Sequence, residues 1–201
     1  YPDALAAASL AGAYDAPIVL TEPNSLSVDA ADMIEQLSPK VIYVVGGEAA
    51  VSKAAVDTAA YYAADGCKVF RIAGDTRLET SHAIAERVRQ KSTASDTLIV
   101  ATGFNYADAL SISPFAFVYK LPIFLCGSNG LSDDAVSFIS ESGFKNAIVV
   151  GGTAVVPECV KQQLMGAGIS SGSITRLAGS TRYETSAKII SYAMNAGRNV
   201  S

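Results

Sequence analysis

Arg71-Ile72-Ala73-Gly74-Asp75-Thr76-Arg77-Leu78-Glu79-Thr80-Ser81 recurs, displaced by 105 residues, as Arg176-Leu177-Ala178-Gly179-Ser180-Thr181-Arg182-Tyr183-Glu184-Thr185-Ser186. The same displacement carries Tyr43-Val44-Val45-Gly46-Gly47 onto Ile148-Val149-Val150-Gly151-Gly152, and Tyr1, Asp3, Ala4 and Leu5 onto Tyr106, Asp108, Ala109 and Leu110. Laid on residues 106–201 without a gap, residues 1–96 share 31 identities, so the chain is a tandem duplication. A unit of 105 residues can bury a core of its own and is a domain rather than a short solenoid repeat.

Within one unit the pattern alternates. Continuous apolar runs at 69–73, 97–101, 122–126 and 147–150 read as strands covered on both faces, and the segments 76–91, 106–119, 132–140 and 157–165 read as helices. The expected fold is α/β, a doubly wound parallel sheet with helices on both faces, in tandem 105-residue repeats. Residues 68–173 form the complete module on this reading. Residues 1–67 then hold three helices and two strands of a preceding unit, and residues 174–201 the first strand and helix of a further one. Tyr1 falls inside a predicted helix, so the chain reads as a fragment. The two partial units are expected to associate, within one chain or by swapping between chains, because their apolar edges are costly to expose.

The net charge of −4 and the absence of any Lys/Arg run disfavour nucleic acid as a partner. Cys67, Cys126 and Cys159 face Gly172, Thr21 and Ala54 in the other copy, and His82 is the single histidine, so neither a zinc site nor a disulfide framework is expected. No run approaches the roughly 18 apolar residues of a membrane span. Neither a cofactor nor a metal is called for by any motif.

Thr76-Arg77-Leu78-Glu79 and Thr181-Arg182-Tyr183-Glu184 fit the capping box, with Thr76 and Thr181 as caps and Glu79 and Glu184 reaching back to the cap amides. Capping does not account for Arg77 and Arg182, cations in the first helical turn where the macrodipole disfavours them. Each therefore needs a partner, either a carboxylate, with Asp108 and Asp3 the candidates, or an anion outside the protein. Gly46-Gly47 and Gly151-Gly152 end strands and precede helices, where bare amides can hold a phosphate, although backbone conformation alone also explains such pairs. Catalysis finds little support: His82 is Ala187 in the other copy, no G-x-S-x-G occurs, and Asp133-Asp134 faces Val28-Asp29.

Ile72-Ala73-Gly74-Asp75-Thr76-Arg77-Leu78-Glu79-Thr80, Ala101-Thr102-Gly103-Phe104-Asn105-Tyr106-Ala107-Asp108-Ala109-Leu110, Pro122-Ile123-Phe124-Leu125 and Val149-Val150-Gly151-Gly152-Thr153-Ala154-Val155-Val156 together resemble the cell wall binding repeat 2 family of Gram-positive surface proteins. The resemblance implies an exported, extracellular α/β module at the cell wall, present as three copies in pseudo-threefold packing or as a homo-oligomer. It implies noncovalent anchoring to an anionic secondary polymer, with any enzymatic activity in a separate region. Three cysteines depart from the family's usual avoidance of that residue. The competing reading is a receptor or sensor that binds a small ligand at the strand carboxyl ends.

Overall fold

The computed structural model describes residues 4–92 and 95–198. Along the chain run α1 (Ala4–Tyr14), α2 (Val28–Leu37), β1 (Val41–Val45), α3 (Lys53–Tyr62), β2 (Lys68–Ile72), α4 (Arg77–Lys91) and β3 (Thr97–Thr102). There follow α5 (Tyr106–Tyr119), β4 (Ile123–Cys126), α6 (Asp133–Glu141), β5 (Asn146–Val150), α7 (Cys159–Gly166), β6 (Ile174–Leu177) and α8 (Arg182–Arg198). The duplication is carried into the backbone: β1, β2, α2, α3 and α4 fall on β5, β6, α6, α7 and α8 when shifted by the repeat length.

All strand pairing is parallel, in two sheets. β1 pairs with β2, and the second sheet has the order β4-β3-β5-β6. In the second sheet the apolar runs have no polar face because both faces are covered. Ile99, Ala101, Ile123, Leu125, Ile148 and Val150 point into a core shared with α1, α4, α5 and α8. Their neighbours Leu98, Val100, Phe124, Cys126, Ala147 and Val149 point into a second core beneath α6 and α7. Side chains alternating between two apolar layers are what a doubly wound sheet requires.

Helix α4 ties the two sheets together. It follows β2 of the first sheet and packs along β4, the outer strand of the second. There the Leu125 amide, on the open edge of β4, donates to Ser81 Oγ at 2.9 Å. A helix hydroxyl thereby satisfies a donor that an edge strand would otherwise present to another chain.

Three expectations are corrected. The strand at 68–72, read from sequence as the opening of the 68–173 module, pairs with β1, and the strand at 174–177 pairs with β5; each belongs to the sheet before it. Of the two strands expected in 1–67, only β1 forms. Residues 17–21, the counterpart of β4, are irregular, with Ile18 and Leu20 exposed at 49% and 62%. β4 is held by β3 on its inner side, and no described strand lies beside residues 17–21. Lastly, within the chain the terminal segments do not rebuild a module together. Residues 174–198 extend the central sheet through β6 and lay α8 on α5, where Tyr192 meets Phe115 edge-on at 5.8 Å. The ladder hydrogen bonds of β6 are made to β5.

Candidate functional site

The repeated motif builds the starts of α4 and α8 at the carboxyl ends of β2 and β6. Thr76 Oγ1 accepts from the Glu79 amide at 3.3 Å, and Glu79 Oε2 accepts from the amides of Asp75 and Thr76 at 2.7 and 3.3 Å. In the other copy, Thr181 Oγ1 accepts from the Glu184 amide at 3.2 Å and Glu184 Oε2 from the Ser180 amide at 2.7 Å. Gly74 and Gly179 donate to the buried hydroxyls of Thr80 and Thr185, both at 3.0 Å. A Cβ on either glycine would collide with the Glu79 or Glu184 side chain. Thr76, Glu79, Thr181 and Glu184 are therefore occupied in capping.

Arg77 has a partner, but not the carboxylate of Asp108. Its Nη1 donates to the Gly103 carbonyl at 2.9 Å, and the guanidinium lies 5.7 Å from the centre of the Phe104 ring. No ion pair joins Arg77 to Asp108. The carbonyl of Gly103, just past the end of β3, takes the cation instead. Arg182, the counterpart, is exposed and lies 5.6 Å from the ring of its neighbour Tyr183, with no hydrogen bond to a described residue. The difference follows from the sheets: Arg77 reaches the β3 end of the second sheet, whereas the described residues place no such strand end beside Arg182.

Asp108 occupies the first turn of α5, below the N-cap Asn105, whose side chain accepts from the Ala107 amide at 3.2 Å. It is only 6% exposed and takes no hydrogen bond or ion pair from any described residue. Burial alone pushes its carboxyl above the usual aspartate value. Its Oδ2 lies 3.0 Å from where a Cβ of Gly151 would stand. Asp3, its counterpart, lies outside the described residues.

The Gly-Gly turns serve the backbone. Gly46 and Gly151 have φ of 106° and 114°, a region that favours glycine. The Gly151 amide donates to the Leu177 carbonyl at 2.9 Å, so it is not free to hold an anion. Gly152 accepts from the Val155 and Val156 amides, and α7 begins only at Cys159, so no helix N-terminus opens onto the pair. Arg71 and Arg176, the first residues of the repeated motif, clamp these turns. Arg71 Nη1 donates to the Gly46 carbonyl at 2.6 Å and Arg176 Nη1 to those of Gly151 and Val156, each at 2.9 Å. Sequence reasoning missed this role, although both arginines sit inside the repeat.

It also missed the aromatic side chains of the β3–α5 segment. Phe104 and Tyr106 are 70% and 62% exposed, large apolar surfaces of the kind that marks a contact site, and the Phe104 ring lies by Gly127 and Arg77. Elsewhere the chemistry is thin. His82 packs against Phe138 and Phe124 at 5.4 and 6.2 Å, and Asp133 and Asp134 lie in the first turn of α6 behind the N-cap Ser132. Among the described residues the three cysteines are free and no group of His, Cys, Asp and Glu is arranged to hold a metal. A cleft of 290 Å³ lined by Tyr43, Phe70 and Arg87 has a counterpart lined by Ile148, Thr175 and Tyr192, so its chemistry is not repeated.

The duplicated parallel α/β unit sets the helix starts that carry these residues after the carboxyl ends of its strands, where ligands of open α/β sheets bind. The family model described as "Cell wall binding domain 2 (CWB2)" matches residues 1–56 and 71–161, and the chain belongs to this family. It is 33% identical over 190 residues to "N-acetylmuramoyl-L-alanine amidase LytC" and 30% identical over 188 residues to "Amidase enhancer", both of Bacillus subtilis. Each match takes in 94% of this chain, but only 36% and 24% of those proteins. Among solved structures, Cwp6 from Clostridium difficile superposes with a TM-score of 0.88 at 27% identity, over 96% of this chain and 30% of that one. Cwp8 from the same organism gives 0.82 at 35% identity, over 94% and 31%. No described helix is long and apolar enough to cross a membrane.

Proposed function

We propose that this chain is a noncatalytic anchoring module that holds a surface protein noncovalently on an anionic secondary polymer of the cell wall. The observation that carries this reading is the family match, which takes in residues of both copies. The protein works outside the cell, at the wall, and its partners are the polymer and neighbouring repeat modules. Residues 68–173 are one complete repeat unit between two partial ones, 1–67 and 174–201, with β2 and β6 each pairing into the sheet before it. Amidase chemistry, which the name of one relative carries, belongs to the portion of that relative outside the match. Arg77 is the cation at the edge with donors to spare, since one guanidinium nitrogen engages Gly103 and the others bond no described residue.

Sedimentation with purified Gram-positive sacculi tests the reading. The protein is expected to pellet with intact sacculi and to stay in solution once the secondary polymer has been stripped by acid. Equal pelleting with stripped sacculi would overturn the polymer assignment. Loss of turbidity from a sacculus suspension treated with this chain alone would overturn the noncatalytic one.

A further inference from the structure

The two copies differ in what stands beside a strand. In the second copy β3 lies between β4 and β5: the Ile99 amide donates to the Pro122 carbonyl at 2.9 Å on one side, and Ile99, Val100 and Ala101 pair with Ile148, Val149 and Val150 on the other. The repeat sets residues 17–21 on 122–126 and β1 on β5. Among the described residues no strand pairs with the side of β1 away from β2. Exposure follows: Ile18 and Leu20 are 49% and 62% exposed, against 0% and 2% for their counterparts Ile123 and Leu125. The two flanks nevertheless stay together. The Tyr14 ring, at the end of α1, lies 4.7 Å from that of Tyr43 in β1, and the Pro23 carbonyl accepts from the Ser52 amide, at the start of α3, at 2.7 Å. Residues 15–23 are thus fastened at one end to β1 and at the other to the helix that follows it.

The edge itself is suited to pairing. The Gly46 amide donates to the Ile72 carbonyl, toward β2, so by alternation the amides and carbonyls of Val41, Tyr43 and Val45 point away from β2. Such a row is a template for another strand, and proteins blunt it with charges or prolines. β1, Val-Ile-Tyr-Val-Val, carries neither, whereas the edge of β4 is closed at Leu125 by the Ser81 hydroxyl. We infer that the outer edge of β1, together with residues 17–21, receives one extended apolar segment of another polypeptide, added parallel to β1 as β3 is to β5. β3 defines the occupant. Five of its six residues are buried, because its side chains enter two apolar layers in turn. The incoming segment therefore has to be apolar on both faces, since polar side chains there would be buried without partners. Its main chain supplies the hydrogen bonds and its side chains the selectivity, the mode of strand addition. The partner is a polypeptide, and the site stands apart from the wall-binding reading.

The test is titration of the whole chain with a fluorescently labelled synthetic peptide of residues 95–105, followed by anisotropy, with hydrogen exchange of the protein in its presence. Saturable one-to-one binding is expected for the peptide and none for a scrambled peptide of the same composition. The amides of Tyr43 and Val45 should gain protection while that of Gly46, already bonded to β2, is unchanged. In β4 the Leu125 amide faces the open edge, so the Phe124 and Cys126 amides face β3; their counterparts Val19 and Thr21 should gain protection as well. By the same alternation the Val100 amide faces β5, and methylating it in the peptide removes the bond to β1. That peptide is expected to bind about tenfold more weakly, the scale of one buried hydrogen bond. Leu20→Lys, at an exposed position, should weaken binding with an unchanged thermal midpoint. Absence of saturable binding, equal binding of the scrambled or methylated peptide, or protection confined to β2 or β6 overturns the site. None of these outcomes depends on whether the chain pellets with sacculi.

Discussion

Gly12 of α1 lies against the backbone of its own counterpart in the repeat, Phe117 of α5: a Cβ on Gly12 would stand 2.7 Å from the Phe117 carbonyl carbon. The two copies of one helix thus pack together through positions that the duplication has made unlike, a bare glycine on one side and an aromatic residue on the other.

Gly12→Ala weighs two opposed effects. Alanine in a helix is favoured over glycine by about 1 kcal/mol. The collision is with backbone, which cannot swing aside, and overpacking of this kind costs about 1–3 kcal/mol. The variant is expected to be less stable, with a lower urea midpoint. An unchanged or higher midpoint would mean that the helices separate freely.

Arg77→Ala removes the hydrogen bond to the Gly103 carbonyl and the contact with the Phe104 ring, and is expected to cost about 1–2 kcal/mol. Arg182→Ala at the exposed counterpart should stay within about 0.5 kcal/mol of wild type. Chemical denaturation of the pair provides the comparison. Equal effects would show that the arginine serves only its own helix.

Ser81→Ala deletes the acceptor for the Leu125 amide on the edge of β4. Leu125 is 2% exposed, so the amide cannot turn to water, and an unmet buried donor costs about 1–3 kcal/mol. Hydrogen exchange at Leu125 should accelerate more than at neighbouring β4 amides. A Leu125 amide that stays as protected as in wild type would refute the contact.

The Asp108 carboxyl is raised above its ordinary 3.8 by burial. Between the unfolded and the raised value the native state holds the proton more tightly, so this residue's contribution to stability falls as pH rises through that window. Asp108→Asn removes the contribution. The variant should be more stable than wild type at pH 7, and the difference should shrink as pH falls through the raised value, where the folded wild type takes up its proton. Urea midpoints across that range check the sign; a variant less stable at pH 7 contradicts it.

Burial pushes the Cys126 thiol up to about 11, in a fully buried position on β4. Reactivity follows the thiolate and its access. Cys126 is expected to resist an aromatic disulfide reagent at pH 8 until the protein unfolds, while the partly exposed Cys67 and Cys159 react first. Labelling followed by peptide mass analysis distinguishes them.

Much of the fold was legible because its signals are local. A strand covered on both faces is a continuous apolar run, as at 97–102, 123–126 and 146–150. Helices α4 and α6 announce their starts through Thr76 and Ser132, which cap within three residues of themselves. The duplication, the α/β class and the pairing of Thr76 with Glu79 follow from such patterns alone.

Tertiary structure decided what depends on neighbours distant in sequence. Residues 17–21 and 122–126 both carry Pro-Ile-x-Leu, yet only the second becomes a strand, because a strand's hydrogen bonds are made to the chain beside it and β3 lies beside only one of them. The partner of Arg77 is the Gly103 carbonyl, 26 positions away, and it is in reach only because α4 crosses from the first sheet to the second. The sequence by itself shows Asp108 as an acid at a helix start. That it is buried against Gly151 with no donor is settled by the order β4-β3-β5-β6, which brings two strand ends together and leaves a carboxylate between them.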